Sequence, residues 1–137
     1  MGGRIAMELT LKFPDKVKRL VLASTSASVK VRMSFLPKFI KLVRSWISKS
    51  EQPYYAFLHQ LNASHGYDCS NRFGEINVPT LIMYGKKDKR VFYMQVEEMN
   101  VGIKESKLIA FNGGHLFFIW KSKLFIDAIL NFLGNTD

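Results

Sequence analysis

The chain has 137 residues, of which 47% are hydrophobic and 13% aromatic. That is long enough for one domain with a buried core and too apolar for a disordered segment. Twenty Lys and Arg against eleven Asp and Glu give a formal charge of +9, which favours anionic partners. No nucleic-acid motif accompanies the charge, so the reading is no nucleic acid and a solvated basic face. The single cysteine, Cys69, rules out an internal disulfide and has no partners at metal-ligand spacing, so the expectation is no metal. No apolar run is long enough to span a bilayer, and Met1-Gly2-Gly3-Arg4 does not match a signal peptide, so a cytoplasmic location is expected.

In chain order, Gly2-Gly3 opens a helical pattern over residues 4–13 with apolar positions Ile5, Ala6, Leu9 and Phe13 on one face, ended by Pro14-Asp15. Residues 17–23 follow, and their nearly continuous apolar part fits a buried parallel strand, taken as Arg19 to Ala23, which closes at Ser24-Thr25-Ser26. Residues 29–71 break the strand pattern. Within them, residues 33–48 place Leu36, Phe39, Ile40, Val43 and Ile47 on one stripe with lysines and an arginine elsewhere, and residues 54–61 read as a second helix. The basic amphipathic stripe suits either a helix packed on the rest of the protein or one lying on a membrane surface. His59 and His65 have no carboxylate or cysteine at useful spacing.

The last part reads as a βαβ unit. Asn77-Val78-Pro79 precedes the apolar run Thr80-Leu81-Ile82-Met83-Tyr84, which ends at the turn Gly85-Lys86-Lys87-Asp88. A helix over about residues 90–99 leads to the run 107–111, then to Asn112-Gly113-Gly114-His115 and an apolar helix over residues 117–133. This order implies a parallel sheet with Asp88 and His115 just past the C-terminal ends of neighbouring strands, the edge where open α/β sheets hold their ligands. An Asp and a His brought together there suit one task. The carboxylate takes one imidazole N–H, fixes the tautomer and leaves the other ring nitrogen as a base.

Three stretches together resemble the α/β-hydrolase superfamily, in particular its esterase-like members. They are Met1-Gly2-Gly3-Arg4-Ile5-Ala6-Met7-Glu8-Leu9 with the strand after it, Val78-Pro79-Thr80 through Asp88, and Gly113-Gly114-His115 with the final helix. The resemblance implies an α/β fold class: a partial α/β-hydrolase fold of three parallel strands with flanking helices and a helical cap insertion. It divides the chain into residues 1–28 after the nucleophile turn, 29–71 as the cap, and 72–137 as the part bearing acid and histidine. Asp88 and His115 would be the catalytic acid and base, acting without a cofactor on a small ester-like substrate.

By the same resemblance the nucleophilic serine falls immediately before Met1. The first oxyanion donor falls on the main-chain nitrogen of Met1, where an initiator methionine carries an amine in place of an amide. Loss of the triad serine in subtilisin costs about a millionfold in turnover, so negligible esterase activity is expected of the 137 residues alone. Ser24, Ser26 and Cys69 are weak substitutes, because none sits on a strained strand-to-helix elbow. The strand Arg19-Leu20-Val21-Leu22-Ala23 is expected to lie at a sheet edge and to pair with its copy in a homodimer.

Overall fold

The structure is a computed structural model that describes residues 1–28 and 54–134. The chain divides into two compact units, Met1–Ala27 with Cys69–Asp137, and Ser28–Asp68. In the smaller unit, the expected helix over residues 33–48 lies outside the described residues. The second expected helix is present as α2 (Tyr54–His65), on which the rings of Tyr55 and His59, one turn apart, meet edge to face with centroids 6.5 Å apart. An antiparallel bridge joins Ser28 to Asp68 at the two ends of this unit.

The larger unit is a three-stranded parallel sheet in the order β1 (Leu20–Ala23), β2 (Thr80–Gly85), β3 (Ser106–Phe111). The register sets Leu20 against Thr80 and Ala23 against Met83 on one side, and Thr80 against Ser106 through Gly85 against Phe111 on the other. The three strands therefore end together. β2 is central, and its continuous apolar sequence is accounted for by cover on both faces.

Alternation along the strands sorts the core into two layers. Leu81 and Met83 point to one face, where they join Phe111 and Phe117 under the final helices α4 (Phe117–Trp120) and α5 (Ser122–Gly134). Phe117 is fully buried, stacks on Phe111 with centroids 4.6 Å apart, and meets Phe118 and Phe125 edge to face. Arg19, just before β1, reaches this layer by donating to the Phe132 carbonyl and lying over the Phe132 ring. The opposite face, with Leu20, Leu22 and Ile82, carries α1 (Gly2–Lys12) and α3 (Tyr93–Gly102). Between these helices runs a 3-10 segment, Ser70–Glu75, whose Phe73 packs where a Cβ on Gly102 would have to go.

Several element expectations need correction. The apolar stripe of α1 is not its buried face: Ile5, Leu9 and Phe13 are 62%, 50% and 54% exposed, while Met7 and Thr10 are buried. The cause is what lies beside the helix. Met7 meets the Cys69 thiol at 3.9 Å and Glu8 pairs with Arg72 at 3.5 Å, so contacts on this flank fix the rotation of the helix and turn the Ile5–Leu9–Phe13 flank outward. Thr10 can be buried because its hydroxyl donates back to the Ala6 carbonyl at 2.8 Å. The first strand runs from Leu20 to Ala23, one residue shorter than expected, and the expected single helix over 117–133 is broken at Lys121 into α4 and α5. Among the described residues, no helix is long and apolar enough to cross a membrane.

Candidate active site

The turn after β2 is shaped by close approach. A Cβ on Gly85 would collide with the carbonyl oxygens of Gly113 and Gly114, so only glycine lets the loop after β2 lie against the loop after β3. Main-chain bonds then lock the two together: Lys86 N–H donates to the Phe111 carbonyl and Lys87 N–H to the Gly113 carbonyl, both at 2.9 Å. Asp88 N–H closes the turn onto the Gly85 carbonyl at 2.9 Å.

Asp88 is consequently delivered beside His115. Its Oδ2 lies 2.8 Å from His115 Nδ1, and its Oδ1 accepts from the amides of Arg90 at 2.7 Å and Val91 at 3.1 Å. The Asp88 side chain is fully buried and that of His115 is 29% exposed. A buried carboxyl group is costly unless its oxygens are satisfied, and here both are. The helix α3 starts at Tyr93, later than the expected residue 90. Gln95 then reaches back to the Phe92 amide at 3.3 Å and marks the true helix start.

The N-terminal end of α1 belongs to the same edge of the sheet. A Cβ on Gly3 would overlap the Thr25 side chain, and Arg4 Nε donates to the Ser26 carbonyl at 3.2 Å, so the first turn of α1 sits on the segment after β1. Met1 is the N-cap residue of α1, with its carbonyl accepting from the amides of Arg4 and Ile5 at 3.0 and 3.3 Å. Burial, and after it the Arg4 charge, lowers the Met1 amino group from the usual α-amino range.

Ser24 adds a contact that a strand-end reading of Ser24-Thr25-Ser26 does not supply. Its Oγ donates to the His115 carbonyl at 2.7 Å, and its φ of 47° is the single positive value among the described non-glycine residues. The hydroxyl thus meets the main chain of His115. Cys69 is buried, and among the described residues no three His, Cys, Asp or Glu side chains gather as metal ligands.

Sequence relatives and solved structures agree with this architecture. The chain is 36% identical over 72 residues to the AB hydrolase superfamily protein YisY of Bacillus subtilis (strain 168), a match covering 51% of the chain and 27% of that protein. It is 24% identical over 164 aligned positions to a poly(3-hydroxyalkanoate) depolymerase of Ectopseudomonas oleovorans, covering 96% of the chain and 58% of the depolymerase. The enol-lactonase from Burkholderia xenovorans LB400 superposes with a TM-score of 0.77 at 18% identity, over 98% of this chain and 63% of that one. The chain is similar to members of the α/β-hydrolase superfamily. Its fold is a partial α/β-hydrolase fold, spanning less than two thirds of the length of each of these relatives. No family model matches the sequence.

Proposed function

We propose that this chain carries the acid and base of a hydrolase that cleaves carboxylic esters or related acyl bonds in small molecules. In this reading Asp88 holds the His115 imidazole in the tautomer with hydrogen on Nδ1, leaving the other ring nitrogen to take a proton from a serine hydroxyl and return it to the leaving group. The observation that carries the reading is the 2.8 Å contact between a fully buried Asp88 and a partly exposed His115 at the ends of adjacent parallel strands. The relatives lend it chemistry, since one depolymerises a polyhydroxyalkanoate and another is a lactonase by name. Both act at an ester-type acyl carbon.

The serine in this reading stands directly ahead of Met1, at the N-terminus of α1, and the main-chain nitrogen of Met1 is the first oxyanion donor. The 137 residues by themselves then have negligible ester turnover. The test is hydrolysis of p-nitrophenyl butyrate by the chain, alone and mixed with a polypeptide that ends in a Gly-x-Ser nucleophile turn. Activity that needs the added serine and disappears in His115→Ala supports the reading. Activity of the mixture that His115→Ala leaves unchanged overturns it.

One observation favours a second, non-catalytic reading, that of a self-associating remnant of the fold. β1 lies at the edge of the described sheet and α1 turns Ile5, Leu9 and Phe13 outward. An unpaired edge beside apolar surface invites another chain, and a two-fold axis would pair residues 19–23 with their copy antiparallel. Sedimentation of a compact monomer at micromolar concentration would exclude the homodimer.

A further inference from the structure

We infer that Ser24 is a positioning residue for His115, holding the main chain from which the imidazole reaches Asp88. The inference rests on the reading of Asp88 and His115 as an acid–base pair and adds to it a residue from a third strand end. Three consecutive carbonyls in the histidine loop are each held by a different element. Gly113 accepts from Lys87 N–H in the turn after β2, Gly114 accepts from Phe117 N–H at the start of α4, and His115 accepts from Ser24 Oγ after β1. The first two bonds place the loop. The third acts on His115 itself.

Ser24 is also fixed from its own side. Its N–H donates to the Met83 carbonyl at 3.0 Å, which extends the ladder between β1 and β2 by one residue. The positive φ then turns the chain sharply at that point. An L-residue adopts this conformation at a cost that persists only where the surroundings impose it, and such strain gathers at functional sites. Serine supplies the donor at the cost of the φ: glycine accepts the φ without a donor, alanine has neither advantage, and the branched side chain of threonine adds to the cost of the φ. Asparagine tolerates a positive φ and carries a side-chain N–H, so it is the conservative replacement.

The experiment is ¹H–¹⁵N NMR of the full chain labelled at histidine, following exchange of the His115 Nδ1 proton with water. The chain has three histidines, so the His115 signal is assigned by its loss in His115→Ala. Wild type is expected to show a protected His115 Nδ1 proton. Ser24→Ala and Ser24→Gly are expected to speed its exchange roughly fivefold, the factor given by a hydrogen bond of ordinary net worth, while Ser24→Asn restores protection. Glycine accepts the backbone angle, so that variant keeps its fold even where the alanine variant does not. Wild-type exchange in both Ser24→Ala and Ser24→Gly would overturn the inference, as would a glycine variant that matches wild type while alanine does not, since the backbone angle alone would then explain the effect. A wild-type chain without a protected Nδ1 proton would overturn the acid–base reading first, and this role of Ser24 with it.

Discussion

The corner where β1, β2 and β3 end and the flank formed by α1 are built on opposite terms. At the corner every feature is matched by a contact within or between three short loops: Gly85 lets two loops touch, the oxygens of Asp88 accept from two amides and face an imidazole, and Ser24 meets the His115 carbonyl. On the flank, Ile5, Leu9 and Phe13 are apolar and exposed although they recur at helical spacing. A polar site can be completed by three short loops, because hydrogen bonds are local and directional. Apolar cover needs surface area, and area has to come from another segment or another chain.

Substitutions can break that contrast or sharpen it, and the largest effect is expected beneath the corner. Phe117→Ala removes a fully buried ring stacked on Phe111 and should cost about 4 kcal/mol in urea unfolding; a loss under about 1 kcal/mol would mean that the layer below the loops is not close-packed. Gly85→Ala tests the contact between the loops. The added methyl meets two carbonyl oxygens, so a loss of roughly 3 kcal/mol is expected by the same measurement, together with loss of the protected His115 proton.

Asp88→Asn is milder. It turns an N–H toward groups that are themselves donors, and should cost about 2 kcal/mol as one of the three partners of the side chain goes unsatisfied. The flank should respond in the opposite way. Leu9→Lys is expected to leave unfolding within about 0.5 kcal/mol of wild type, while weakening any self-association seen by sedimentation. A large destabilisation would show that Leu9 is covered within a single chain, contrary to its 50% exposure.

These contrasts also explain what the sequence disclosed. Pro79 and Gly85 bracket β2, and the two glycines before His115 mark the end of β3, so the parallel strands and the two site residues at their ends were legible from local punctuation. The rotation of α1 was not, because Ile5, Leu9 and Phe13 outweigh Met7 and Thr10 in any apolar pattern, and only the contacts with Cys69 and Arg72 turn the helix. The second role of Asp88 was hidden for a related reason: it both faces His115 and takes the amides of Arg90 and Val91. Ser24 carried a partial signal, a hydroxyl at a strand end near the histidine. Its backbone angle and its bond to the His115 carbonyl depend on a residue 91 positions away.

The central claim is that Asp88 and His115 act as one unit, and a double-mutant cycle on stability tests it most directly. Unfolding free energies of wild type, Asp88→Ala, His115→Ala and the double variant should give a coupling of about 1–2 kcal/mol, as expected for groups in direct hydrogen-bonded contact. Additive losses, with no coupling beyond error, would contradict it.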